Sequence, residues 1–562
     1  MTPTRLVIAV TLFSSLTVAA QTSQQTPGAG GHKHYVAAPD QDKPNAAGQI
    51  APRLQNLGSY TFPVTTKNAR AQLFVNQGLN LSYAFNHAES GRAFREAARL
   101  DPNLAMAYWG QALVLGPNIN AAMEPTDEGP AFDAIKKAVA LKAHASPRER
   151  AFIEALAARY TGKPEDRVAR DRHYAEAMAK VHKAYPNDLD AAVLYVESLM
   201  DLRPWGYWMR DGVPYEGVAD AVALIEKVIA RSPKHPGALH LYIHLVEAVA
   251  PEKAEGAADR LLPLVPAAGH LVHMPAHIYQ RVGRYADAIK SNQLAIAADE
   301  DYISQCRAQG LYPIGYYPHN LHFLWFAATA DGQSTLAIDA ARKTASKVDP
   351  EMLKQLPLLA AFKVVPYYAL TRFGKYDEML AEPDPGRGNA FLSGIYHYAR
   401  GVALVGKNRL DDAGKELAAV NAALTEPSLD GPLFSPNPAR AVLAIAPEVL
   451  GGEIALGRRQ FDQAIMHFDR AVRLEDALVY TEPSEWHYPP RQALGRALQL
   501  AGRFAEAETV FWQDLKRNPE NGWSLRGVIE ALRAQNKMEQ AAIVEARLKK
   551  AWARSDVRAK LP

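Results

Sequence analysis

The chain has 562 residues, 48% of them hydrophobic, with 63 basic against 60 acidic side chains. This length and apolar content are sufficient for a large core, and a single cysteine, Cys306, means that no internal disulfide supports it. The near balance of charge leaves no large basic field, so we expect neither nucleic acid nor an anionic membrane surface among the partners.

The first twenty residues, MTPTRLVIAVTLFSSLTVAA, place Arg5 before an apolar run and small residues before Gln21. This pattern is typical of a secretory signal peptide, and we expect cleavage after Ala20. The residue directly after the cleavage site is not a cysteine, so a lipoprotein anchor is not expected. No later stretch is long and apolar enough to span a bilayer. The sequence therefore predicts an exported protein, periplasmic or secreted, without a membrane anchor.

Residues 21–66 are polar, rich in Gly and Pro and without periodicity, which predicts a disordered leader. His32 and His34 in this stretch form a weak candidate metal pair. A flexible tail with two histidines is more often inert, and we favour that interpretation.

From residue 67 to about 555 the chain is helix-forming almost throughout, which predicts an all-α fold. Segments that begin at Gly283, Gly374, Gly502 and Asn536 share a pattern. A turn residue comes first, an aromatic or apolar residue follows two positions later in most of them, and a small or apolar residue lies at position five. Gly502 and Asn536 are 34 positions apart. The pattern indicates pairs of helices joined by a tight turn.

This repeat resembles the tetratricopeptide repeat (TPR), and the chain as a whole is similar to exported bacterial TPR proteins. The resemblance implies a right-handed α-solenoid of helical hairpins with irregular aromatic-rich insertions. Units at about 445–551 match the repeat most regularly, and the part at about 235–332 is more diffuse and rich in histidine. In the family, the first helix of each hairpin lines a concave groove.

Seven of the 17 histidines lie on three successive helical segments, at matching distances before the closing turns at Ala250, Gly283 and Gly332. At about 100° per residue they share one helix face, rotated by about 130° from the apolar stripe. Equivalent positions before Gly374, Gly502 and Asn536 carry no histidine, so the repeat pattern does not itself produce the cluster. The resemblance places these residues on the concave wall: His240, His244, His270, His273, His277, His319 and His322, with Glu247 on the same side.

Histidines one helical turn apart, such as His240 and His244, can chelate one ion. Imidazole ligands with one carboxylate, Glu247, suit a transition metal such as Zn, Cu or Fe, in a site with one ion or two. The HEXXH motif of zinc peptidases is absent. In the alternative interpretation there is no cofactor, and the histidines hydrogen-bond to each other and to nearby tyrosines.

Three insertions, at 203–217, 302–318 and 482–490, are rich in Trp and Tyr and longer than simple turns. Insertions of this kind often build or cover a binding site. Packing against the edge of the solenoid is an equally good explanation for each one alone. Together with one residue of a predicted groove helix, they give the candidate ligand-groove residues Trp205, Trp208, Tyr312, Tyr316, Tyr317, Trp486, His487 and Arg496.

Three functional hypotheses follow. The first is a binding protein that holds a transition metal, or a peptide, protein or small-molecule ligand, in its central groove. The second is a metal-dependent enzyme that uses the same histidines. The third is a protein–protein interaction scaffold whose histidines are structural.

Overall fold

The computed structural model describes residues 43–306, 312–433 and 437–557. The predicted signal peptide and the pair His32 and His34 lie outside the described residues. Within these ranges the regular secondary structure is helical, and the only β-type pairings are three isolated bridges. The predicted all-α class is therefore confirmed.

The helices have the bounds α1 Ala69–Tyr83, α2 His87–Leu100, α3 Ala105–Leu115, α4 Glu128–Ala140, α5 Pro147–Ala157, α6 Arg167–Ala184, α7 Leu189–Asp201, α8 Val218–Arg231, α9 Pro236–Val246, α10 Glu255–Leu261, α11 Gly269–His273, α12 Pro275–Arg281, α13 Tyr285–Gln305, α14 Tyr317–Ala330, α15 Ser334–Ser346, α16 Pro350–Gln355, α17 Ala360–Lys363, α18 Val365–Arg372, α19 Tyr376–Ala381, α20 Ala390–Gly406, α21 Leu410–Ala423, α22 Ala439–Leu443, α23 Ile445–Gly457, α24 Phe461–Ala477, α25 Pro490–Leu500, α26 Phe504–Arg517, α27 Gly522–Ala534 and α28 Met538–Ala551. Short 3₁₀ turns and one π-helical turn, Tyr312–Tyr316, lie between them.

The chain divides into two compact units. Of the described residues, unit 1 comprises those up to Pro275 and those from Leu294 to Tyr317, and unit 2 comprises Ala276–Gln293 and those from Pro318 onward. Each unit is described by itself below.

Helical hairpins with a left-handed turn residue build unit 2. Gly374, Asn408, Gly502 and Asn536 each have a positive φ, between 57° and 77°, directly after the first helix of a hairpin. A residue in the left-handed region ends a helix and lets the backbone N–H groups that follow bond to the last carbonyl groups of the helix. Gly and Asn adopt this left-handed conformation with the least strain. The sequence motif that starts at these residues therefore marks real turns, and the predicted pairs of helices joined by a tight turn are present.

Small residues let neighbouring helices approach closely around single phenylalanines. In unit 1 a Cβ built on Gly78 or Gly110 would lie 2.8 or 2.3 Å from the ring of Phe94. In unit 2 Gly495 and Gly527 leave space for Phe511 in the same way. The core of each unit thus depends on glycine facing an aromatic ring, because a methyl group at any of these positions would overlap the ring.

Residues 43–66, which the sequence places in a leader, have no helix but pack against unit 1. Phe62 is fully buried, with its ring centroid 5.8 Å from that of Trp109 and 5.9 Å from that of Phe152. The Gln77 side chain donates to the Pro52 carbonyl at 2.9 Å and accepts from the Leu54 amide at 3.0 Å. An aromatic side chain and these hydrogen bonds hold a segment whose composition alone suggests disorder.

Within the described residues, every helix is too short or too polar to cross a lipid bilayer.

Candidate functional site

Helix α9 carries two of the predicted metal ligands in unit 1. Pro236 occupies its first turn, where a missing N–H costs nothing, and the His235 ring accepts the Ala238 amide as an N-cap at 3.3 Å. Every residue from Pro236 to Val246 is buried. His240 and His244 are one helical turn apart, so both imidazoles project from the same side of the helix.

The two imidazoles face each other through their Nε2 atoms, which are 3.1 Å apart. On the other side of each ring, His240 Nδ1 lies 2.6 Å from the Tyr83 carbonyl oxygen and His244 Nδ1 lies 2.9 Å from Glu247 Oε1. The Tyr83 carbonyl is at the last residue of α1, where a helix leaves carbonyl groups without an internal partner. The imidazole of His240 supplies that partner.

These contacts determine the tautomers. A carbonyl oxygen can only accept a hydrogen bond, so His240 Nδ1 carries the proton and its Nε2 is a bare acceptor. An ionised Glu247 makes the same demand on His244 Nδ1. Two neutral imidazoles would then direct lone pairs at each other across 3.1 Å. The arrangement therefore calls for one cation at the Nε2 atoms, either a metal ion or a proton on one ring.

His270, on α11, completes a group of three. One nitrogen of each of His240, His244 and His270 lies within 4.8 Å of the others. The His270 backbone N–H donates to the Tyr312 hydroxyl at 3.0 Å, and that hydroxyl donates to Asp299 at 2.8 Å. Hydrogen bonds from the chain itself thus fix the start of α11 and the position of His270.

The close approach of Asp299 requires Gly269 at the start of α11. A Cβ at this position would lie 1.9 Å from Asp299 Oδ1. Only glycine leaves room for the carboxylate, which is fully buried beneath the helix.

Aromatic rings surround the three imidazoles. Phe85 lies 4.5 Å from His240 and 5.4 Å from His270, Trp205 lies 5.1 Å from His244, and Tyr316 lies 4.8 Å from His270, measured between ring centroids. Trp205 and Tyr316 were predicted as ligand-groove residues. In the structure these two residues belong to the walls around the histidines. Two other predicted groove residues make hydrogen bonds elsewhere in the unit: Trp208 donates to the Leu245 carbonyl at 2.6 Å, and Tyr317 donates to Glu300 at 2.7 Å.

The nitrogen positions suit a transition-metal ion. With metal–nitrogen bonds of about 2.0–2.1 Å, two nitrogens 3.1 Å apart subtend an angle of about 98° at the ion, close to tetrahedral. Tetrahedral ligands at that bond length lie about 3.3 Å apart, so the His270 nitrogen, which lies within 4.8 Å of the other two, would have to move by at most about 1.5 Å. Metal-bound histidines almost always donate their second N–H to a carbonyl or carboxylate, as His240 and His244 do.

The exposure of the histidines differs from the sequence-based expectation. His240, His244, His270 and His273 are at most 2% exposed, so they do not line an open wall. The helical periodicity gave the shared face correctly. It could not show that α9 is packed on every side, because that depends on segments far away in sequence.

Four further histidines were also predicted as metal ligands. His273 lies in unit 1 with its ring 5.9 Å from that of His270. In unit 2 the rings of His277 and His319 are 6.0 Å apart, and His277 Nδ1 lies 3.6 Å from Glu482. His322 stacks on Trp325, and burial lowers its pKa to about 3, so it is neutral at ordinary pH.

Unit 2 contains a cavity of about 200 Å³. Its walls come largely from positions that correspond to the histidine face, such as Gln492, Arg496, Trp523 and Glu530. Of the predicted ligand-groove residues, His487 and Arg496 line it, whereas Trp486 is fully buried behind it. Sequence reasoning missed Arg372, which also lines the cavity, because it lies two residues before Gly374 and outside the predicted face.

No protein-family model and no curated protein matches the chain. Solved structures with similarity include the human IFIT1 dimer with m7Gppp-AAAA, at 10% identity and a TM-score of 0.30, covering 87% of this chain and 91% of that one. The human IFIT1 dimer with PPP-AAAA has 11% identity and a TM-score of 0.31, with coverage of 86% and 92%. A monomeric IFIT1 mutant with Gppp-AAAA has 12% identity and a TM-score of 0.32, with coverage of 86% and 91%.

These structures correct one expectation. The exclusion of nucleic acid from the partners is wrong: it was drawn from net charge alone, and the similar solved structures contain m7Gppp-AAAA and PPP-AAAA. Net charge averages over the whole surface and cannot exclude a local binding patch. A likeness at a TM-score near 0.3 does not itself assign RNA binding to this chain.

Proposed function

We propose that this chain is an exported metal-binding protein that holds one transition-metal ion in unit 1 through His240, His244 and His270. The observation that carries the proposal is the orientation of the first two rings. Each Nδ1 is fixed by an acceptor, and the two Nε2 atoms face each other at 3.1 Å. Three imidazole nitrogens are a ligand set that suits Zn, Cu or Fe.

The surroundings favour a cation at this point. Glu247 is 1% exposed and contributes a negative charge next to His244. The Tyr83 carbonyl lies at the C-terminal end of α1, where the helix dipole is negative. Both groups raise the basicity of the imidazoles that they contact, and this strengthens a bond from Nε2 to a metal ion.

The burial of the site favours a held ion over turnover. Structural metal sites are closed, whereas catalytic sites keep one position open for water or substrate. All three imidazoles are at most 2% exposed and are walled by aromatic rings. We therefore propose metal binding, and not metal-dependent catalysis, as the function of this group.

Metal content tests the proposal. The mature chain would be purified without a histidine tag from cells grown with Zn, Cu and Fe, and its metals measured by mass spectrometry. We expect about one equivalent of one transition metal in the wild type and none in His244→Ala/His270→Ala. The matched control is His144→Ala/His173→Ala, which changes two exposed histidines of the same unit and should keep the metal.

Two further measurements make the result decisive. Circular dichroism shows whether each variant is folded, and titration of the metal-free wild type with Co(II) should give the visible absorption of a tetrahedral nitrogen site. Wild-type protein that contains no metal and takes up none on titration would refute the proposal, and a proton would then be the cation between the rings.

Edman sequencing of the exported protein tests the export component separately. The expected N-terminal residue is Gln21.

A further inference from the structure

Unit 2 has a second site, independent of the histidine group, in the cavity described above. Seven helices, α18, α19, α20, α23, α25, α26 and α27, contribute side chains to it, and the loop before α25 adds His487 and Tyr488. Aromatic rings form much of the wall, including Tyr398, Phe511 and Trp523. These surfaces suit a flat or apolar ligand body.

The charged groups of the lining are unequally paired. Arg496 contacts the Glu453 carboxylate at 2.5 Å, and Arg526 contacts Glu530 at 2.9 Å. Arg372 has no carboxylate within 4.0 Å among the described residues. Its guanidinium lies between two rings, 3.7 Å from the centroid of Trp523 and 4.3 Å from that of Tyr488, and donates to the Gln492 side-chain oxygen.

Arg372 remains charged in these surroundings. Burial lowers its pKa to about 10, still well above neutral pH. Asp514 attracts this charge, but its carboxylate accepts from the Gln492 side chain at 2.9 Å and does not contact the guanidinium itself. The half-buried charge therefore lacks a direct anionic partner and favours one. Of its five N–H donors, one serves Gln492 and another contacts Tyr488, so the planar guanidinium retains donors for a ligand.

His487 provides a second, separate indication. The residue is 6% exposed and lines the cavity, yet its Nδ1 has no hydrogen-bond partner among the described residues. Its ring stacks on Tyr368 with centroids 3.8 Å apart. Burial and the neighbouring charge of Arg372 hold the pKa of His487 well below its usual range, so the imidazole is neutral and offers a donor or an acceptor.

We propose that this cavity binds a small carboxylic acid with an aromatic body, whose carboxylate pairs with Arg372 and whose ring packs between the aromatic walls. The charges select a monoanion. Among the residues that line the cavity, Arg372, Arg496 and Arg526 outnumber Glu453 and Glu530 by one charge, and Asp514 contacts Gln492 without lining the cavity. A phosphate dianion would exceed that charge, and a carboxylate matches the guanidinium fork in shape. The volume, about 200 Å³, favours a compact ligand over a long peptide.

Isothermal titration calorimetry of the full chain tests this proposal with phenylacetate, 3-phenylpropionate and indole-3-acetate as probes. Phenylacetamide is the neutral control, since it keeps the shape and removes the charge. We expect at least one acid to bind and its amide to bind about 10- to 100-fold more weakly, as for loss of a hydrogen-bonded charge. Equal binding of acid and amide, or no binding of any acid at millimolar concentration, would overturn the proposal.

Variants identify the residue that holds the carboxylate. Arg372→Gln should lose the difference between acid and amide, whereas Arg470→Gln, at an exposed arginine of the same unit, should keep it. The comparison of acid with amide in the wild type stands even if Arg372→Gln fails to fold. A tetrapeptide with a C-terminal Phe is the last probe. If the peptide binds and none of the free acids binds, the small-molecule assignment is overturned. His244→Ala should leave the affinities of all these probes unchanged. Failure of the metal-binding proposal can therefore be distinguished from failure of the carboxylate-binding proposal.

Discussion

The contact between Glu247 and His244 gives the sharpest prediction for the proposed metal centre. Glu247→Gln keeps the size of the side chain and an oxygen that can accept from Nδ1, but removes the negative charge. Both side chains are 1% exposed and their atoms are 2.9 Å apart, so water screens the charge poorly. The substitution therefore isolates the electrostatic contribution of a residue that positions a ligand without touching the ion.

The expected size of the effect follows from that geometry. Loss of a group that orients a metal-bound histidine lowers metal affinity by about 10- to 100-fold. Because the pair is fully buried, we expect the upper half of this range, equivalent to about 2–3 kcal/mol in binding free energy. Zn affinity is measured by competition with a chromophoric chelator at neutral pH, on protein shown to be folded by circular dichroism.

Unit 2 offers a matched control for this experiment. Glu448 and His467 make the same kind of contact at 2.7 Å, but both are part-exposed and distant in sequence from the proposed ligands. Glu448→Gln should leave Zn affinity unchanged. Equal affinity in wild type and folded Glu247→Gln would refute the reasoning about the anchored imidazole, and so would an equal loss in Glu448→Gln.

Three further outcomes are expected. Gly269→Ala should lower both the melting temperature and the metal content, because its Cβ would lie 1.9 Å from Asp299, whereas Gly495→Ala, against Phe511, should lower only the melting temperature. Zn affinity should rise with pH, because binding requires both Nε2 atoms to be free of protons; a flat profile would contradict the shared-cation argument. Burial, together with the neighbouring Asp201 carboxylate, raises the pKa of Glu197 to about 8. The free energy of unfolding should therefore be highest below the ordinary pKa of a glutamate and should fall as pH rises through about 8. Urea unfolding should show this decline, and Glu197→Gln should flatten it; an unchanged slope would exclude Glu197 as its source.

Much of the helical architecture could be predicted locally. The turn residues Gly374, Gly502 and Asn536 were identified from a short motif, and all three adopt the left-handed conformation that such a turn needs. The shared face of His240 and His244 followed from the helical period alone. These features depend on residues within a few positions of each other, so they can be read without knowledge of the rest of the chain.

The sequence by itself determined the helical class, the hairpin turns and which side chains share a helix face, because each depends on neighbours within one or two turns. The tertiary structure alone decided what those faces meet. The Tyr83 carbonyl that fixes the tautomer of His240 is 157 residues away along the chain. The burial of the histidines and the missing carboxylate partner of Arg372 likewise depend on distant segments. No local pattern encodes such long-range contacts, so the chemistry of both sites became visible only in the folded chain.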